Sequence, residues 1–109
     1  MEELVLYLAG PMTGLEEYNY PAFHQAAKDL RGQNFEVCNP AEEHDGDQSL
    51  PRQVYMRTAL ENLLKAEAIV MLPGWQRSRG AIFELQVAAA LELDIRRYVP
   101  GRPPAELIP

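Results

Sequence analysis

With 109 residues, 47% of them hydrophobic and 24% charged, the chain is sized for one globular domain with its own core. A net charge of −6 argues against binding the backbone of a nucleic acid polymer, although a few local donors suffice for a single nucleotide. The single Cys38 excludes an internal disulfide and any cysteine-based zinc site; with no signal-like or membrane-spanning stretch, the expected location is the cytoplasm.

The apolar run Leu4-Val5-Leu6-Tyr7-Leu8-Ala9 predicts a strand buried on both faces and closed by Gly10-Pro11. After a loop from Met12 to Asn19, Pro21 opens a helix that carries Phe23, Ala26, Ala27 and Leu30 at helical spacing and stops at Gly32. Phe35 to Cys38 form a short second strand ending at Asn39-Pro40, and residues 41–50 read as a polar loop without periodicity. A second helix from about Pro51 places Met56, Leu60, Leu63 and Leu64 on one face. Ala68 to Leu72 form a third buried strand, a helix runs from Arg79 to about Glu92, and Ile95 to Val99 form a fourth strand.

This β-α-β-α-β-α-β order predicts an α/β domain over residues 1–99, followed by a Pro-rich tail at 100–109. The expected architecture is an open parallel sheet of about four strands with helices on both faces. Ligands of such sheets bind outside the carboxyl ends of the strands. The loops 10–19, 39–50 and 73–80 all leave that edge. Nine of the eleven residues from Ala81 to Leu91 are apolar, more than one sheet face covers, so a homo-oligomer is expected.

Several residues invite a chemical reading beside a plainer one. Glu84 has Ala81, Val87, Ala88 and Leu91 around it and no charged neighbour on its helix face. It is either a catalytic or ligand-positioning acid, or a glutamate favoured near the helix start by the dipole. The Tyr7 hydroxyl either reaches the ligand edge or serves the core. Gly10-Pro11-Met12-Thr13-Gly14 gives close backbone approach and a hydroxyl for sugar or phosphate, or is simply a tight turn; no GxGxxG or GKS/T fingerprint is present. Ser78-Arg79-Gly80 combines an N-cap, open helix N–H groups and a positive charge, which suits an anion. Trp75 either stacks on a base or covers the sheet edge. Glu42, Glu43, His44, Asp45 and Asp47 lack metal-site spacing and read as a solvated acidic loop, and His24 reads as structural. No metal and no cofactor are expected.

The segments Tyr7 to Gly14, Tyr18 to Phe23, Asn39 to Glu42 and Leu72 to Ala81 together resemble a small, largely phage and bacterial family of unknown function. That family is similar to the nucleoside 2-deoxyribosyltransferase superfamily, which includes nucleoside 5′-monophosphate N-hydrolases; the likeness spans residues 4–99. It implies a flavodoxin-like sheet, Glu84 as the nucleophile on C1′ of the sugar, and Tyr7 orienting it. Ser78 stands where the transferases carry an aspartate and where the monophosphate hydrolases bind phosphate. Gly10, Pro11, Thr13, Trp75, Arg79 and Gly80 are the further expected substrate contacts, read from the residues above. Two positions depart from the pattern: Glu67 replaces a more usual Asp, and Ala59 replaces the aspartate that handles the leaving base. Protonation of the base then falls to Glu61, to Arg57, to another subunit or to nothing. The expected activity is cleavage or transfer of the N-glycosidic bond of a (deoxy)nucleoside 5′-monophosphate. The alternatives are a non-catalytic nucleotide-binding module, or an oligomeric structural protein.

Overall fold

A computed structural model describes residues 4–107 of the chain. Its elements in chain order are β1 Val5–Ala9, α1 Tyr20–Gly32, β2 Glu36–Cys38, α2 Arg52–Lys65, β3 Ala68–Met71, α3 Arg79–Ala90, β4 Asp94–Arg97 and β5 Ala105–Glu106. They build one sheet in the order β2-β1-β3-β4-β5, with the first four strands mutually parallel and β5 antiparallel on β4. This is an α/β open sheet of the flavodoxin-like kind. Among the described residues no helix is long and apolar enough to cross a membrane.

The strand count is five where the sequence predicts about four. The addition comes from the Pro-rich tail, which is tied to the domain by α1. Asp29 Oδ2 accepts from the Tyr98 hydroxyl at 2.7 Å and from Gly101 N at 2.8 Å, and Gln33 Nε2 donates to Arg102 O at 3.2 Å. A two-residue edge strand after Pro103-Pro104 leaves no periodicity to read, because proline donates nothing to a ladder.

Period-two alternation in β1 splits the core between the two sheet faces. Leu6 and Leu8 face α1 and join Phe23, Ala26, Ala27 and Leu30. Tyr7 and Ala9 face the other way, into a cluster with Leu63, Ile69, Met71, Ala81 and Ala88 beneath α2 and α3. The α1 stripe is fully buried as its spacing predicts. On α2 the expectation fails at one position. Leu63 is buried, whereas Leu64 is 69% exposed, because a further 100° of helix turn carries it off the face that holds Leu63. On α3, Ala81 and Ala88 are buried while Phe83 and Leu91 are each 38% exposed, so its outer side is open in the single chain.

The stretch after β2 folds into turns whose Glu42, Asp45 and Asp47 side chains are exposed, as a solvated acidic run would be. Its residues Pro40–Gly46 form 3-10 turns capped by Asn39, a buried side chain whose oxygen accepts from Ala41 N at 3.0 Å. Asn39 Nδ2 lies 3.2 Å from His24 Nδ1, which gives that histidine its structural task. Arg31 grips Glu42 with two short contacts, 2.6 and 2.7 Å, and donates to Val37 O at 2.9 Å. Glu42 thus ties this segment to α1.

Candidate functional site

Where β1 ends, the chain must pass close to β3. A Cβ at Gly10 would lie 2.8 Å from Leu72 Cβ, so only glycine fits there. Pro11 to Asn19 then turn outward, held by Leu15 N to Met12 O and by Asn19 Nδ2 to Pro11 O at 3.0 Å. The segment after β3 turns at Gly74, whose φ of +88° is a glycine conformation. It leads to Ser78, which caps α3 by accepting from Ala81 N at 3.1 Å. Together with the ordered turns after β2, these loops enclose a cavity of about 760 Å³ at the carboxyl edge of the sheet.

Two side chains from different elements meet in its wall. Tyr7 rises from β1 and Glu84 descends from the second turn of α3, and the Tyr7 hydroxyl donates to Glu84 Oε2. Burial pushes the Glu84 carboxyl up to about 7 from its ordinary 4.5, and the Tyr7 hydrogen bond only partly counters this by favouring the charged form. Tyr7 is driven well above its usual value, first by burial and then by the Glu84 charge and hydrogen bond. It therefore remains a neutral donor while Glu84 alternates between acid and carboxylate near neutral pH.

The remaining expected contacts divide. Gly10, Pro11, Thr13, Ser78, Arg79 and Gly80 all line this cavity with Tyr7 and Glu84. Trp75 does not. It packs against the core cluster of Tyr7, Ala9 and Met71 on the α2 and α3 face, so it is a cover over the sheet edge and not a wall of the cavity. At the start of α3, Ser78 Oγ satisfies Ala81 N and Ser78 O satisfies Ile82 N. The Arg79 and Gly80 N–H groups point toward no protein acceptor among the described residues, which leaves two donors and the positive helix end for an anion. Arg52 and Arg77 add positive charge to the same wall.

Periodicity and spacing passed over much of this wall. Tyr18, Tyr20 and Tyr55 give it aromatic faces. From α2 come Thr58, Ala59 and Asn62, one face of the helix at i, i+1 and i+4, and Asn62 Nδ2 donates to Glu43 Oε1 at 3.1 Å. Glu43 and His44 thus belong to the cavity, although the sequence reads them as part of a solvated run. Arg57 and Glu61, the expected stand-ins for an acid at position 59, are exposed and lie outside the wall. Among the described residues no three His, Cys, Asp or Glu side chains group in a way that would hold a metal ion.

The structure thus joins an open α/β sheet to a tyrosine-bound, partly buried glutamate in the cavity at its carboxyl edge. The chain belongs to the family described as Domain of unknown function (DUF4406), which matches residues 4–97. No curated protein matches it.

Proposed function

We propose that the cavity binds a (deoxy)nucleoside 5′-monophosphate and that Glu84 opens its N-glycosidic bond. The observation that carries this reading is the Tyr7–Glu84 hydrogen bond in the wall of a nucleotide-sized cavity. A carboxylate desolvated by burial is a stronger nucleophile than one in water. A phenol that donates to one oxygen leaves the other free to attack C1′. The first step displaces the base and leaves a glycosyl ester on Glu84; water or a second base then resolves it. The open N–H groups of Arg79 and Gly80, with Ser78 and Arg77, supply the charge and donors a phosphate requires. Tyr18, Tyr20 and Tyr55 offer stacking faces to the base in place of Trp75. The likeness to the nucleoside 2-deoxyribosyltransferase superfamily, with Glu84, Tyr7 and Ser78 at matching positions, supports the same assignment.

The test is release of free base from a panel of nucleosides and 5′-monophosphates, read by chromatography, with Glu84→Ala beside the wild type. Base from the wild type alone supports the glycosidase. One observation favours a second reading, a non-catalytic nucleotide-binding module: Ala59 gives the α2 wall a methyl group where an acid would assist the leaving base. Nucleotide binding by thermal shift with no base released would select that module.

A further inference from the structure

Resting on the glycosidase reading above, we propose that His44 is the group that delivers a proton to the departing base. The argument starts from a chain of hydrogen bonds along α2. Thr58 Oγ1 lies 3.1 Å from Val54 O, a carbonyl that can only accept, so the Thr58 hydroxyl has an acceptor on its own helix. His44 Nε2 lies 2.8 Å from the same Thr58 Oγ1. When the Thr58 proton points to Val54 O, that oxygen accepts from His44, whose Nε2 then carries a proton. Nδ1 has no protein partner among the described residues and is not a buried, unsatisfied atom, so it is accessible on a residue that lines the cavity. When the ring is cationic, Nδ1–H is a donor with nothing in the protein to receive it.

The surroundings hold this ring in place. Tyr55 meets it edge to face, with centroids 5.6 Å apart at 84°. His44 and Asp45 both adopt left-handed backbone, φ +53° and +55°, a conformation that non-glycine residues take up at a cost and that gathers at functional sites. Glu43, one residue earlier and held by Asn62, puts a negative charge on the same wall. Neither Arg57 nor Glu61 reaches the cavity, position 59 is an alanine and Glu43 is held by Asn62, whereas the imidazole keeps a nitrogen with no protein partner among the described residues.

The step balances as follows. A Glu84 carboxylate oxygen forms a bond to C1′ while the bond from C1′ to the base nitrogen breaks, and its electron pair stays with the base. The Nδ1 proton of cationic His44 moves to that base, leaving a neutral ring with its proton on Nε2 toward Thr58. In the second half, water adds to C1′, the Glu84 ester oxygen leaves with its electrons, and the proton lost by water returns to Nδ1. His44 is thus restored. Thr58 is a positioning residue in this scheme, since it acts only through the ring.

The experiment compares two leaving groups. Guanosine 5′-monophosphate needs its base protonated on departure, whereas 7-methylguanosine 5′-monophosphate already carries a positive base and leaves without help. In His44→Gly, chosen because glycine accepts the left-handed backbone, kcat on the first substrate should fall by roughly 10²-fold or more, the usual worth of a general acid. On the 7-methylated substrate kcat should hardly change, and added imidazole should restore part of the loss on the first. Equal losses on both substrates, or none on either, would overturn the role of His44 and leave the glycosidase standing. A wild type that releases base from no nucleotide of the panel, these two included, overturns the glycosidase reading and this role with it. Should His44→Gly fail to fold, His44→Asn, which also tolerates left-handed backbone, carries the same comparison.

Discussion

Replacing Glu84 by glutamine isolates what its burial costs. The folded chain binds the Glu84 proton more tightly than the unfolded chain, because the carboxyl is raised from 4.5 to about 7. Between those two pH values the native state holds the extra proton, and stability falls as pH rises through the window. Below pH 4.5 both states are protonated and the penalty is absent; above about 7 it is complete. At 1.36 kcal/mol per pH unit, the rise amounts to about 3 kcal/mol, an upper figure for a side chain that keeps some contact with water. Glutamine is nearly the same shape, still accepts from the Tyr7 hydroxyl and never ionises. Whatever its amide costs in that site is independent of pH. The stability gap between Glu84→Gln and wild type should therefore grow in favour of the variant from pH 4.5 to pH 8. In a chain of this size the change corresponds to a melting shift on the order of 10 °C. Thermal melts at half-unit pH steps read it directly. Parallel curves for the two proteins across that range would refute the reasoning and place Glu84 in an environment as wet as the bulk surface.

Other consequences of the site are open to measurement. Tyr7→Phe removes the donor that favours ionised Glu84, so the carboxyl should titrate above 7, as followed by its side-chain carbonyl NMR signal; a downward move would contradict the assignment. Gly10→Ala forces a methyl into Leu72 Cβ at 2.8 Å and should cost about 1–3 kcal/mol in denaturant unfolding. Gly80→Ala is the opposite case. A Cβ there meets only Ser78 Oγ at 4.0 Å, so stability should hold or rise by up to about 1 kcal/mol. The same methyl sits on the cavity wall beside the open helix donors and should weaken nucleotide binding in calorimetry. The open outer side of α3, with Phe83 and Leu91, should bring copies of the chain together; a monomer at micromolar concentration in light scattering would rule that out.

The sheet was legible because its strands are buried on both faces and write themselves as unbroken apolar runs, as in Leu6 to Ala9 and Ala68 to Leu72. Glu84 stood out for the converse reason, as the lone charge in the apolar stretch from Ala81 to Leu91. The Tyr7 partnership needed the register. Nothing local says that a strand residue 77 positions away arrives at the same point as Glu84. Residues 39–50 hid their part because a segment pinned by Asn39, Arg31 and Thr58 is ordered by contacts from elsewhere in the chain. Side-chain hydrogen bonds of that kind have no period. Trp75 stayed open between two readings for a related reason, since a residue at a strand end faces the ligand or the core according to how the next turn coils, and here it packs on the core.

The backbone at Glu17, Tyr18 and Asn19 is left-handed for three residues in succession, and His44 and Asp45 repeat the feature for two. Both stretches supply side chains to the cavity, while its floor is the fully buried centre of the sheet. Energy held in unfavourable torsions is released when a segment lifts away, so these two rims are expected to open first and the floor of the sheet last. A molecule bound between the rims would close both at once. Its footprint in deuterium exchange would then extend over residues 15–20 and 43–47, including amides that never touch it, and occupancy of the site could be followed at the loops without any label on the ligand.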